Sequence, residues 1–159
     1  MDITKEWANT QNKKGSVTNR QFYTVNGVKY EVDNKHITLK PSSKEISIAD
    51  TLSQKYGKNI ELVPQIVYPQ NIQTPDYIID GERFDLKSPT GKGKDVLRDL
   101  IKRKKKQSPN FIFDLTDCPL TDEDVERQIT SIFSWHHTRF VDKIVIMKGN
   151  NILKVYKKD

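Results

Sequence analysis

The chain has 159 residues, of which 35% are hydrophobic and 30% charged, and its formal net charge is +6. That length suits one domain with a lean core, and the absence of a long apolar run excludes a membrane span. The basic balance favours an anionic partner, either nucleic acid or an acidic protein. The single cysteine, Cys118, excludes an internal disulfide framework and a cysteine-based zinc site.

The N-terminal part of the sequence falls into two segments. Residues 1–20 have little apolar periodicity, and we interpret them as a flexible arm or linker that carries Trp7 as its one large apolar residue. Residues 21–40 alternate apolar and polar positions between turn signals such as Asn26-Gly27. That alternation predicts a small β-meander.

Residues 41–159 form the predicted main domain. Ser42 and Glu45 form a capping box for a first helix, which Gly57 ends. There follow a strand over 60–68, placed at or near a sheet edge by Pro64, a hairpin over 74–87, a helix over 95–107, a strand over 110–115, a helix from 121 and a closing hairpin. This order predicts an α+β fold with one central mixed β-sheet, interleaved helices and a small N-terminal β segment.

The hairpin over 74–87 carries the residues that suggest chemistry. Asp80-Gly81 is a strong turn signal, and apolar residues then alternate with Asp85 and Lys87. The alternation places Asp85 and Lys87 on one face of a strand, roughly 6–7 Å apart along it. Asp76 opens the first arm, so we expect the hairpin to bring it close to Asp85. Two carboxylates and an ammonium suit phosphodiester cleavage, although solvated strands carry the same pattern.

Three basic segments are candidates for binding nucleic acid. Lys92 and Lys94 lie in a glycine-containing loop, which is equally typical of a solvated connector. A run of cations at the end of the second helix complements the helix dipole and can form a phosphate-binding ridge or a solvated face. The candidates in this run are Arg103, Lys104 and Lys106, and Arg139 lies beyond the third helix.

A first catalytic scheme uses a metal. The sequence Pro75-Asp76, eight residues and then Asp85-Leu86-Lys87 resembles the PD-(D/E)xK nuclease motif. That resemblance implies a DNase in which Asp76 and Asp85 ligate Mg²⁺ and Lys87 positions a water or holds the phosphate. Gln107 falls near the place where some members of that superfamily carry a helical glutamine.

A second scheme uses no metal. An RNA 2′-hydroxyl attacks the neighbouring phosphate, a general base removes its proton, and a cation stabilises the phosphorane. DNA lacks that nucleophile, so the substrate of this scheme is RNA. His137 becomes a candidate catalytic residue here, because histidine titrates near neutral pH, although a histidine after a helix is often structural.

A longer succession of short motifs extends over about the last two-thirds of the chain. Its members are Ile48-Ala49, Tyr56-Gly57, Thr74-Pro75-Asp76, Asp80-Gly81, Asp85-Leu86-Lys87-Ser88-Pro89, Lys106-Gln107, Phe113-Asp114 and the closing hairpin. This succession is similar to the C-terminal tRNase toxin domain of contact-dependent growth-inhibition proteins. Related-looking domains occur in phage structural proteins and mobile elements.

The resemblance implies a specific function and fold. It implies a tRNA endonuclease of the barnase–EndoU–colicin–RelE type, generally metal-independent and without a cofactor. It further implies delivery into the cytoplasm of a target bacterium as the tail of a larger exported or phage protein, and neutralisation by an immunity protein, which the basic charge suggests is acidic. Asp76, Asp85, Lys87 and Gln107 carry over as the motif, although family members often have glutamate at the position of Asp85.

Two alternative functions stay open on the sequence. One is the metal-dependent DNase, which uses the same carboxylates with Mg²⁺. The other is a non-catalytic phage or mobile-element module that binds nucleic acid without turnover.

Overall fold

The computed structural model describes residues 1–9, 13–105 and 107–159. The helices are α1 (Thr4–Ala8), α2 (Ser43–Tyr56), α3 (Val96–Ile101) and α4 (Asp122–Ser134). The strands are β1 (Ser16–Asn19), β2 (Phe22–Val25), β3 (Val28–Glu31), β4 (Ile37–Thr38), β5 (Asn59–Leu62), β6 (Gln65–Ile66), β7 (Tyr77–Ile79), β8 (Glu82–Lys87), β9 (Asn110–Asp114), β10 (Lys143–Lys148) and β11 (Asn151–Lys157). Within the described residues, no helix has the length and apolar character needed to cross a membrane.

One large sheet organises the strands. It has seven strands in the order β1-β5-β7-β8-β9-β10-β11. The pairs β1–β5 and β9–β10 are parallel, whereas β5–β7, β7–β8 and β10–β11 are antiparallel. Two further sheets have two strands each, β2–β3 and β4–β6. The predicted α+β fold with a central mixed sheet and interleaved helices is therefore confirmed.

The chain divides into two compact units. The first contains the described residues from 13 to 84, and the second contains residues 1–9 and 85–159. The division falls within β8, whose first three residues belong to the first unit and whose last three belong to the second. The domain boundaries at residues 20 and 40 stay a prediction, because compactness alone does not define independent folding.

In the first unit, α2 packs against β1 and β5. The predicted capping box is present, with the Ser42 hydroxyl accepting from Glu45 N–H and Gly57 closing the helix in the left-handed conformation. The buried face of α2 includes Ala49 and Leu52, whereas Ile46 is 41% exposed. β5 lies one strand from the edge of the large sheet, between β1 and β7, which agrees with the prediction of a strand at or near an edge.

In the second unit, α3 and α4 share an apolar core with β9 and β10. Leu97, Phe111, Ile132 and Ile144 are among its buried members. The prediction that the second helix extends to Gln107 is wrong, since α3 ends at Ile101 and turns follow. The run of like charges that comes next disfavours a continued helix, because cations three and four residues apart repel one another.

The N-terminal residues form structure that the sequence did not indicate. Ile3 N–H donates to Val155 O at 2.8 Å, and Lys157 N–H donates to Met1 O at 2.8 Å, so the segment pairs with the outer edge of β11. Ile3 and Trp7 are buried. This segment covers a strand edge that would otherwise be open.

Candidate active site

The hairpin of β7 and β8 forms as its turn signal predicts. Asp80 and Gly81 have φ angles of 48° and 88°, the left-handed conformation that a tight antiparallel turn requires. Tyr77 pairs with Phe84 and Ile79 pairs with Glu82. The hairpin therefore fixes the alternation of β8, and Asp85 and Lys87 follow Phe84 along that strand.

Asp85 and Lys87 lie on one face of β8 and form an ion pair. Lys87 Nζ is 2.9 Å from Asp85 Oδ2, which confirms that the period of the strand brings the two side chains together. The Asp85 side chain is 1% exposed, whereas that of Lys87 is 19% exposed. The ammonium is thus the member of the pair that solvent, and hence a ligand, can reach.

The burial of Asp85 distinguishes it from a carboxylate on a solvated strand. Among the residues that the structure describes, neither of its oxygens has a hydrogen-bond partner, and the approach of Lys87 meets the distance of an ion pair without the geometry of a hydrogen bond. An ionised carboxylate in such a place is costly unless a cation compensates it. The cover over Asp85 is local, because Arg83, two residues earlier on the same face of β8, is exposed.

Asp76 and Gln107 occupy different settings. Asp76 precedes β7, is half-buried, and its carbonyl accepts from Val63 N–H at 3.1 Å. It belongs to the first compact unit, whereas Asp85 and Lys87 belong to the second, so its proximity to Asp85 stays a prediction. Gln107 lies in the turns after α3, and its Oε1 is buried without a hydrogen-bond partner among the described residues.

The predicted nucleic-acid contacts are mostly exposed cations of the second unit. Lys92 and Lys94 are exposed on the loop after β8 and Arg103 is exposed after α3, while Lys104 is half-buried there. Arg139 is exposed in the turn after α4. Lys106 lies outside the described residues.

His137 belongs to a ring cluster at the end of α4. Its centroid lies 4.7 Å from that of Trp135 and 3.8 Å from that of His136. Arg98, on α3, holds its guanidinium carbon 4.1 Å from the centroid of a Trp135 ring. Sequence reasoning missed Arg98, because no spacing rule relates positions 98 and 135. None of the contacts described for His137 is with Asp85 or Lys87.

The arrangement of carboxylates bears on the Mg²⁺ scheme. Within the described part of the chain, no group of three or more histidine, cysteine, aspartate or glutamate side chains is placed to hold a metal ion. The described geometry of Asp85 is that of a partner for Lys87, and its role as a metal ligand stays a prediction.

Comparison with known proteins adds two findings. The profile of the family described as contact-dependent growth inhibition CdiA C-terminal domain matches residues 73–152, half of the chain, which include β7, β8, α3, β9, α4 and β10. A chain in the solved CdiA-CT/CdiI toxin and immunity complex from Burkholderia pseudomallei is similar in fold, with a TM-score of 0.52 and 20% sequence identity. That match covers 90% of this chain and 99% of the other. No curated protein sequence matches this chain.

Proposed function

Because this chain belongs to the contact-dependent growth inhibition CdiA C-terminal domain family, we propose that it is a toxin domain that cleaves RNA, and tRNA in particular. The observation that carries the proposal is the pair on β8, in which a buried carboxylate holds a partly exposed ammonium. A net charge of +6 favours an anionic substrate.

Lys87 is the proposed catalytic cation. When an RNA 2′-hydroxyl attacks the neighbouring phosphate, negative charge develops on the phosphorane oxygens, and an ammonium in a poorly solvated place stabilises that charge. Asp85 is 1% exposed, so we assign it the positioning of Lys87. Its negative charge attracts the ammonium and fixes the direction in which the Lys87 side chain points.

The remaining members of the proposed site rest on the sequence. A group must remove the proton of the 2′-hydroxyl and another must protonate the leaving 5′-oxygen. His137 is the proposed acid–base residue, since imidazole can do both near neutral pH. Asp76 and Gln107 are proposed from the motif, and Lys92, Lys94, Arg103, Lys104, Lys106 and Arg139 are the proposed phosphate contacts.

An immunity protein is the proposed protein partner. The similar chain from Burkholderia pseudomallei comes from a toxin and immunity complex, and a basic toxin suits an acidic inhibitor. Charge complementarity would raise the association rate of such a pair, and that rate would fall as salt is added. The proposed place of action is the cytoplasm of a target bacterium, reached as part of a larger protein.

The experiment is cleavage of purified tRNA and of plasmid DNA by the protein, with and without a chelator. We expect tRNA cleavage that the chelator leaves unchanged. Cleavage of DNA that a chelator abolishes would instead support the Mg²⁺-dependent alternative, and salt-dependent binding without turnover would support the non-catalytic module.

Lys87→Met tests the site itself. We expect the variant to bind tRNA but to cut it at least about a hundredfold more slowly, the scale of losing one electrostatic group at a transition state. The double variant Asp85→Asn/Lys87→Met guards against unfolding, because it leaves no unpaired buried charge. Lys29→Met is the matched control, since Lys29 and Glu31 form the same two-residue spacing on the exposed strand β3. Wild-type cleavage by Lys87→Met would refute the assignment.

A further inference from the structure

Three neighbouring aromatic rings, two of them on exposed residues, lie at the C-terminal end of α4. We propose that Trp135, His136 and His137, which we call the ring platform, bind an unpaired nucleobase of single-stranded nucleic acid by stacking. The inference rests on the proposed function, because it names how the substrate of that nuclease would be held.

The backbone under the ring platform is fixed. Trp135 caps α4 with its N–H donating to Ser131 O at 2.9 Å, and the next turn returns two N–H groups, those of Thr138 and Arg139, to Trp135 O. The Thr138 hydroxyl, which is buried, donates to Ile132 O at 2.8 Å. The turn is therefore ordered before any ligand arrives, which lowers the entropic cost of binding.

Trp135 is held from the side of α3. The guanidinium of Arg98 stacks on it with its carbon 4.1 Å from the ring centroid. That guanidinium is itself fixed, since Nη1 donates to Ser131 Oγ at 2.9 Å and Nη2 lies 3.3 Å from Asp95 Oδ2. Arg98 therefore fixes the position of the Trp135 indole and leaves the imidazole rings of His136 and His137 available to a ligand.

The two imidazoles face solvent. The rings of His136 and His137 lie 3.8 Å apart between centroids with an interplanar angle of 43°, and both residues are exposed. Within the part of the chain that the structure describes, neither imidazole makes a hydrogen bond or an ion pair. Exposed rings bury little apolar area, so their contact contributes little to folding. Their free faces and ring nitrogens suit the π-face and polar edges of a base.

Charge favours nucleic acid as the source of that base. Arg139 follows the platform directly and is exposed, and Lys158 is exposed where its ammonium donates to the Arg139 carbonyl. Cations beside stacking rings are the usual arrangement of a site for single strands, in which the rings take bases and the cations take phosphates. The platform gives His137 a binding role that can be separated from proton transfer.

The test uses a short 2′-O-methyl oligoribonucleotide, which lacks the free 2′-hydroxyl of the proposed reaction, and an abasic chain of the same length. We expect wild-type protein to bind the base-containing chain about tenfold more tightly than the abasic one, the scale of one stacked base. His136→Ala/His137→Ala should remove that difference, and fluorescence anisotropy of labelled chains measures it. Binding should also quench the fluorescence of Trp135, and Trp135→Phe should abolish the quenching.

Two further variants sharpen the test. His137→Phe keeps a ring and loses the exchangeable proton, so stacking predicts that it retains the preference for bases even where tRNA cleavage is lost. His36→Ala is the matched control, because His36 is an exposed histidine of the first unit whose ring lies 5.4 Å from that of Tyr68, tilted by 47°. Equal affinity of wild-type protein for the two chains would overturn the platform, and so would a base preference that survives His136→Ala/His137→Ala. Cleavage of tRNA, measured in parallel, tests the nuclease separately.

Discussion

At the scale of single residues, the setting of Asp85 decides the chemistry of the hairpin. A carboxylate that is 1% exposed and has no hydrogen-bond partner among the described residues is compensated by the ammonium of Lys87. The sequence predicted that these two side chains share a face, because the period of a strand is two. It did not predict the burial of Asp85, which is local, since Arg83 on the same face of β8 is exposed.

Because Asp85 and Lys87 form an ion pair, we expect the effect of a substitution at one of them on the free energy of unfolding to depend on the residue at the other. Lys87→Met leaves a buried charge without its partner and should lower the free energy of unfolding by about 3 kcal/mol. Asp85→Asn/Lys87→Met should recover much of that loss, because it removes both charges. Urea denaturation measures both variants. Lys29 pairs with the exposed Glu31, so Lys29→Met should change the free energy of unfolding by less than about 1 kcal/mol. A double variant no more stable than Lys87→Met would argue against coupling.

Asp33 gives a second prediction at this scale. Its Oδ1 accepts from the N–H groups of Ile37, Lys35 and His36 at 2.9, 2.9 and 2.7 Å. These bonds, with that from Ile37 first, lower the pKa of Asp33 from 3.8 to about 2. Because the folded pKa lies below the unfolded one, the stabilisation is present above the unfolded value and is lost as the pH falls through about 2.

NMR titration of the Asp33 carboxyl measures this shift. We expect a midpoint near pH 2, and a midpoint at or above the ordinary value of 3.8 would contradict the role of the turn. Asp33→Asn should lose this contribution to the pH dependence of stability while keeping the turn, because an asparagine oxygen accepts the same bonds.

At the scale of elements, α4 positions the loop that carries the candidate phosphate-binding lysines. Gln128 on α4 is 1% exposed, and its amide bridges two backbone groups. Its Oε1 accepts from Leu97 N–H at 3.0 Å and its Nε2 donates to Gly93 O at 3.0 Å. The helix thereby joins the loop of Lys92 and Lys94 to the start of α3.

Gln128→Ala should therefore be costly. It leaves the buried Leu97 N–H without its acceptor and removes one of the two donors to the Gly93 carbonyl, which keeps the Val96 N–H at 3.4 Å. We expect a loss of about 2 kcal/mol in the free energy of unfolding. Faster hydrogen exchange at the Leu97 amide would locate the effect. Arg127→Ala is the control, since Arg127 is exposed and forms an ion pair with Asp124, three residues earlier, at 2.8 Å. A loss no greater than that of the control would show that the loop is held by other contacts.

At the scale of the whole molecule, the two ends of the chain meet in the second unit. Residues 1–3 pair with the outer edge of β11, and α1 places Trp7, which is 7% exposed, in contact with the protein interior. The sequence favoured a flexible arm here because residues 1–20 have little apolar periodicity. Pairing across more than 150 residues is a tertiary contact that no local pattern encodes.

Trp7→Ala tests whether this closure stabilises the fold. Removal of a buried indole should lower the free energy of unfolding by about 3 kcal/mol, whereas an unattached arm would give no change. Urea denaturation measures it, and Lys5→Ala, on the exposed side of α1, is the control. Wild-type stability of Trp7→Ala would show that the segment contributes nothing to the fold.

The sequence by itself determined the elements whose signals are local. The capping box at Ser42 and Glu45, the turn at Asp80-Gly81 and the period of β8 depend on neighbours within a few residues, so the order of helices and strands follows from them. Only the tertiary structure decided the burial of Asp85, the length of α3, the pairing of β1 with β5 and the contact of Arg98 with Trp135. Those features depend on residues distant in sequence, because burial and long-range pairing are set by what the whole sheet brings together.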